Sequence, residues 1–313
     1  MDTRIATAQN AIATRATTTI FTSKGGLPES VLRAFDIRHS VLPLPGGITG
    51  STYISGNLVL KRADDNAEAQ WSSRLLSDPA ILSPHYRIPQ PIASAIEPER
   101  FVVDSWSCSL FVEGKSIPRT LSQWQELLTA ARAFLATLKA IAPTPPEFLE
   151  TRCHRWDQAA QVAFGERSCP PLADDALYML DRLRDLKQLI DRLPDDSDPI
   201  STEPQLIHSD LAGNVLFAQG LSPAIIDFSP MWRPAAWAEA IVVSDALVEY
   251  GSDSELLNFT GTGKSRMEML HKAMLFRVVS DWMGGEEFMD GMRSKWAGAI
   301  EQVHNVVSEL LLS

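Results

Sequence analysis

Apolar residues recur at two different intervals along this 313-residue chain, and the change of interval divides it. Before Gly114 they come in short runs, which predict strands at 41–44, 58–61, 88–96 and 101–112. Two helices interrupt the strands. One is predicted at 27–35 and the other at 67–76, with Asp64 or Asp65 as N-cap and Asp78-Pro79 as its stop. Beyond Gly114 the interval lengthens to about 3.6. Leu121, Trp124, Leu127, Leu128, Ala131, Phe134, Leu135, Leu138 and Ile141 line one helix face, Thr120 and Gln123 form a capping-box pair, and Pro143 ends the helix. A second helix is predicted at 172–193, between Pro171 and Pro194. Short strands return at 206–208, 215–217 and 224–226, and helices resume at 235–250, 267–283 and 296–312. This order predicts an α+β chain: an extension over 1–24, a small antiparallel-sheet lobe over 25–114 and a larger, mainly helical lobe over 115–313.

Composition narrows the function classes. The length suffices for two cores. Cys108, Cys153 and Cys169 are widely spaced and odd in number, fitting neither a disulfide framework nor a paired-ligand zinc site, so a reducing, cytoplasmic setting is expected. No apolar run approaches the roughly 20 residues of a membrane helix, and no secretion signal is read, so a soluble protein without a membrane partner is expected. Residues 1–24, rich in Ala and Thr with Arg4, Arg15 and Lys24, resemble a transit peptide slightly, or form a loosely docked extension. A net charge of −11 argues against nucleic acid as a partner. It suits a cationic small substrate, or serves solubility alone.

The chemistry concentrates in two motifs. His208-Ser209-Asp210-Leu211-Ala212-Gly213-Asn214 precedes Asp227, which closes the apolar run Ala224-Ile225-Ile226. An acid four positions before an amide, followed by a second acid, is the arrangement of a base plus two Mg²⁺ ligands in kinase-type phosphoryl transfer; alone, Asp210 also reads as a turn aspartate. Upstream, Gly46, Gly47 and Gly50 with Thr49, Ser51 and Thr52 form a turn whose backbone can approach phosphates, or a plain hairpin. The strand after it ends on Lys61. Gly261-Thr262-Gly263-Lys264-Ser265 ends like a phosphate-binding loop, but Asn258 stands where the first glycine is required, so a surface loop is expected. The acids of 174–198 alternate with Arg182, Arg184, Lys187 and Arg192, as on a solvated helix.

These motifs resemble those of the aminoglycoside phosphotransferase-like family, kinases of the protein-kinase-like two-lobe fold whose catalytic loop reads H-G-D then Asn, with a later I-D-[FW]. The resemblance runs from about residue 27 to the C-terminus, and the segment 226–237 looks closest to a kinase-like sub-branch apart from the drug-resistance enzymes. It implies ATP and Mg²⁺, with Asp210 as base and Asn214 and Asp227 as metal ligands. It further implies Lys61 on the α- and β-phosphates, Glu68 holding Lys61, the glycine-rich turn over the phosphates, and a hinge from Leu110 through Val112 whose backbone reads adenine. His208 is expected to support the loop by hydrogen bonding. Arg233, in the place of an activation segment, would pair with an acid such as Glu239 or touch a substrate anion.

Two departures stand out. The family places the amide five positions after the base where this chain has it four positions after, and Ser209 replaces the usual glycine. The implied function is transfer of the γ-phosphate of ATP to a hydroxyl of a small molecule. The alternative is a nucleotide-binding pseudokinase or kinase-fold regulator in which the shortened loop no longer supports transfer. A protein-serine kinase is disfavoured, because the H-R-D arginine and an A-P-E type segment are absent.

Overall fold

The computed structural model describes residues 26–44, 51–116, 120–171, 174–285 and 292–312. In chain order it begins with helix α1 (Glu29–Ala34), strands β1 (Leu42–Pro43), β2 (Thr52–Ser55) and β3 (Leu58–Arg62), and helix α2 (Asn66–Leu76). Strands β4 (Val102–Val103), β5 (Trp106–Leu110) and β6 (Lys115–Ser116) follow. Next come helices α3 (Leu121–Ile141), α4 (Phe148–Thr151), α5 (Arg155–Ala163) and α6 (Asp174–Asp191), then strands β7 (Pro204–His208), β8 (Val215–Ala218), β9 (Leu221–Ile225) and β10 (Pro230–Pro234). Helices α7 (Ala235–Val248), α8 (Leu256–Thr260), α9 (Lys264–Met283) and α10 (Met292–Leu310) complete it. Among the described residues no helix is long and apolar enough to cross a membrane.

Two compact units result: Met1–Ser116 with Val215–Phe228, and Ile117–Asn214 with Ser229–Ser313. The sheet unit thus takes back a hairpin, β8–β9, whose strands were expected at 215–217 and 224–226 but within the larger lobe. Main-chain hydrogen bonds explain this: β8 pairs with β6, and Arg87 N–H and C=O bond Pro223 and Ile225, each at 2.8 Å. A side chain at Gly114 would put its Cβ 2.6 Å from Leu216, so only glycine permits the chain to pass here.

In the sheet unit, strands run in the order β1-β2-β3-β5-β4, all antiparallel. Alternation along β3 sends Leu58 and Leu60 to the face packed on Val31, Phe35, Trp106 and Cys108, which leaves Lys61 on the opposite face. Asp65 caps α2, accepting from Ala67 N and Glu68 N at 2.7 and 3.0 Å. Two expected strands are corrected. Segment 88–96 is irregular, because Pro89 and Pro91 lack the N–H a ladder needs, although Gln90 and Ile92 still bond β5. The run 101–112 is two strands, since Asp104 and Ser105 both take positive φ (47° and 63°) and turn the chain back.

In the helical unit, α7 is buried from Ala236 to Val248 on every side, as its mainly apolar sequence allows once Glu239 and Asp245 meet arginines. It packs on α3, α8, α9, α10 and the β7–β10 ribbon. Trp237 on α7 meets Phe164 and Phe276 edge-on, with ring centroids 5.2 and 5.1 Å apart. The capping box of α3 forms as expected. Strand β10 was not expected: its Pro230 and Pro234 look like turn residues, yet the segment pairs with β7 from His208 to Pro204. Helix α5 was also missed, its short amphipathic run lying among turn-like residues.

His271 on α9 is largely buried, with Nε2 3.1 Å from the Leu183 carbonyl oxygen of α6. Burial, aided by Lys187 and Lys272, pushes its imidazole down to about 4 from 6.5. The unfolded chain therefore binds the proton first, and stability falls as pH drops from 6.5 toward 4. The variant His271→Gln should lose less stability than wild type between pH 7 and pH 5, read from urea midpoints. Equal losses would show that His271 does not contribute.

Candidate active site

In the helical unit, the loop after β7 is tied down residue by residue. Its strand delivers His208 fully buried, where Nδ1 accepts the Asp210 N–H at 3.2 Å, the supporting role expected of it. Ser209 keeps an ordinary negative φ, and its N–H and Oγ both donate to Ser229 C=O, at 3.0 and 3.1 Å. The glycine usual here is therefore dispensable. The loop is one residue short, yet a turn closes it through Asn214 N–H to Leu211 C=O at 3.0 Å. That turn brings Asn214 Nδ2 to Asp210 C=O at 2.7 Å and to Asp210 Oδ2 at 3.0 Å.

A cluster absent from the sequence reading holds the other carboxylate oxygen. Arg277 of α9 donates from Nη2 to Asp210 Oδ1 at 2.8 Å, and from Nε and Nη2 to the two oxygens of Asp245 on α7, at 2.8 and 2.5 Å. The Arg277 and Asp245 side chains are nearly buried, whereas Asp210 is about half exposed. Burial pushes the Asp210 carboxyl up, but Arg277 and the Asn214 amide outweigh it and hold the group below the usual carboxylate range. Burial pushes Asp245 and Asp281 each up to about 6, against the pull of Arg277. Burial alone would lower Arg277, but Asp245 and Asp210 raise it, so it stays charged. The missed signal was Asp245 itself, which with Glu239 is one of two acids inside a mainly apolar helix, each of which had to have a cationic partner.

In the sheet unit, Lys61 forms an ion pair with Asp227. Both side chains are 46% exposed, so the pair contributes about 0–1 kcal/mol and gives way readily to a ligand. Asp227 has a φ of 53°, a left-handed conformation unusual outside glycine. Glu68 stands partly buried in the first turn of α2. Ser51 C=O accepts the Arg62 N–H at 3.2 Å, fixing one end of the glycine-rich turn, whose Gly46, Gly47, Thr49 and Gly50 lie outside the described residues. At the expected hinge, Leu110 N–H is committed to Gln90 C=O at 2.8 Å, and Val112 makes no backbone hydrogen bond among the described residues.

The donors suit a hard cation such as Mg²⁺. Asn214 faces Asp210 through its nitrogen, which leaves its carbonyl oxygen as the ligating atom, and Asp227 offers a half-exposed carboxylate. Among the described residues no group of three or more His, Cys, Asp and Glu could hold a metal. Other expectations resolve differently. Arg233 pairs with Glu166 through two 2.7 Å bonds, not with Glu239, which Arg132 and Arg266 occupy. At Lys264-Ser265 the helix N-terminus is filled by Asp196, which accepts both backbone N–H groups at 2.8 Å, so no phosphate is needed there.

The phosphotransferase enzyme family matches residues 40–234, more than half of the chain. The chain belongs to this family. Among solved structures, the chain resembles spectinomycin phosphotransferase in complex with ADP and spectinomycin, with 17% identity, a TM-score of 0.51, and 90% of this chain and 96% of that one covered. An aminoglycoside phosphotransferase from Alicyclobacillus acidocaldarius gives 13% identity and a TM-score of 0.57, over 96% of this chain and 98% of that one. An amicoumacin kinase in complex with AMP-PNP, Ca²⁺ and Ami gives 13% and 0.53, over 87% and 92%. At these identities the likeness shows the kinase-like fold. No curated protein sequence matches the chain.

The left-handed backbone at Asp227 carries a stability cost that its replacements should expose. Asp227→Ala should be less stable than Asp227→Gly or Asp227→Asn by about 1 kcal/mol, because alanine pays the full left-handed penalty. Equal urea midpoints for the three variants would count against a strained position.

Proposed function

We propose that the protein is an ATP-dependent, Mg²⁺-requiring phosphotransferase that moves the γ-phosphate to a hydroxyl of a small molecule. One observation carries this reading: both oxygens and the main chain of Asp210 are fixed, and its carboxylate stays ionised beside partly exposed space. In the reaction the acceptor oxygen bonds the γ-phosphorus, the bond to the β-phosphate oxygen breaks, and ADP leaves. Asp210 orients the acceptor O–H and takes its proton. With a pKa below the usual range it is a weak base, so the proton moves late, once bonding to phosphorus has acidified the hydroxyl. Lys61, released from Asp227, would bind the α- and β-phosphates, with Glu68 as the acid proposed to hold it. The turn of Gly46, Gly47, Thr49, Gly50 and Ser51 would cover the phosphates. Adenine would be read by the hinge, where among the described residues the Val112 main chain is uncommitted and the Leu110 N–H is already bonded to Gln90.

When bound, Mg²⁺ supplies charge neutralisation on the phosphate oxygens, and Asn214 and Asp227 are the residues that would hold it. The nucleotides and small molecules bound by the similar structures support ATP and a small acceptor. A cationic acceptor would suit the net charge of −11, but Arg277 already neutralises the acids beside Asp210, so the reading stops at a hydroxyl. Free thiols exposed at Cys153 and Cys169 support a reducing, cytoplasmic setting. The pseudokinase alternative draws on the short loop, and the turn that restores the Asn214 contact weakens it.

Incubation with γ-labelled ATP, Mg²⁺ and a metabolite extract should yield a labelled small molecule. Asp210→Asn should lower that transfer by about 10²- to 10⁴-fold while the ATP-induced rise in melting temperature persists. Undiminished transfer by Asp210→Asn would sink the assignment of the base. ATP binding with no transfer to any extract component would favour the pseudokinase.

A further inference from the structure

We propose that Arg277 is a positioning residue for Asp210, an arm anchored on Asp245 that sets the direction of the carboxylate toward the acceptor hydroxyl. The inference rests on the phosphotransfer reading above.

The restraints on Asp210 fall into two kinds. Asn214 belongs to the same loop and holds its internal shape, while His208 at the end of β7 and the Ser209–Ser229 bonds fix the main chain and leave the direction of the carboxylate open. Arg277 is the side-chain partner from outside the loop among the described residues, and α9 is a 20-residue helix packed on α5, α6 and α7. The loop is thereby referred to a rigid element. The hydrogen-bond arithmetic is specific: Asp245 takes Nε and one Nη2 hydrogen, which orients the guanidinium plane, and the second hydrogen of that same Nη2 reaches Asp210 Oδ1. With Oδ2 held by Asn214, rotation of the carboxylate is blocked, while a carboxylate has lone pairs left over for an acceptor hydroxyl.

A purely structural account fits less well. Burying an arginine–carboxylate pair costs desolvation that its attraction often only balances, so Arg277–Asp245 is poor value for stability, and apolar residues at both positions would pack α7 against α9 as well. Nor does that account explain the third partner, which is the candidate base. Asn214 lies one position closer to the base than in the resembling kinases. Support from α9 offsets the shorter loop, which has less of its own backbone to brace Asp210.

The test combines turnover with a measurement that needs none. Arg277→Lys keeps the charge but loses the fork, and Arg277→Met loses both; if the latter does not fold, Arg277→Lys and Asp245→Asn carry the test. With Mg-ATP as the probe, phosphate release should fall on the order of a hundredfold in Arg277→Met and less in Arg277→Lys, with the KM for ATP unchanged. In an Asp210→Asn background, Arg277→Met should cause no further loss, whereas a structural role would give the same loss in both backgrounds. Full kcat in Arg277→Met, or additive losses, would overturn the proposal. If wild type neither binds ATP nor releases phosphate, the phosphotransfer reading itself fails, and amide hydrogen exchange then decides. Exchange faster by tenfold or more across 208–214 in the Arg277 variants, with α7 unchanged, supports positioning, and unchanged exchange overturns it.

Discussion

A charged guanidinium cannot sit among packed helices without carboxylates to meet it, and that requirement organises the helical unit. Arg277 lies on a helix packed against α5, α6 and α7 and its own side chain is nearly buried, so burial must be offset by Asp245 on one side and Asp210 on the other. Meeting it draws together an acid from the central helix α7, a cation from α9 and the loop after β7. The same requirement accounts for the raised titration of Asp245 and the lowered titration of Asp210. Both acids share one arginine, and the more deeply buried of them pays the larger desolvation penalty.

The sheet unit handles its charges in the opposite way. Lys61 and Asp227 are paired at a half-exposed position, where water screens the attraction and little free energy is lost on exchanging partners. The left-handed backbone at Asp227 adds a local cost that the surrounding β9 segment must over-determine. Fixed charges hold the proposed base, and exchangeable charges lie where a phosphate and a metal are proposed to arrive. That division suits phosphoryl transfer, in which the protein contributes positioning and electrostatics more than covalent chemistry.

Local patterns explain which expectations held. The Thr120–Gln123 capping box and the Asp65 cap depend on residues within one turn, so their outcome follows from neighbouring positions. The alternation in β3 placed Lys61 opposite the core for the same reason. The expected strand over 101–112 failed because Asp104 and Ser105 adopt a turn that neither glycine nor proline announces. Strand β10 was hidden because its prolines suggest a turn, while its partner β7 supplies the pairing from more than twenty residues away.

By itself, the sequence determined the order of sheet and helix and the family, and it singled out Asp210, Asn214, Lys61 and Asp227 as candidates, since each is written in spacing or short-range periodicity. Only the tertiary structure decided that Asn214 still reaches Asp210 across a shortened loop, that Arg233 meets Glu166, and that Arg277 grips the candidate base. These are contacts between residues far apart in the chain, or the outcome of loop closure. A side chain's partner is chosen by where packing carries it and by which buried charge must be neutralised, and neither is encoded at fixed spacing.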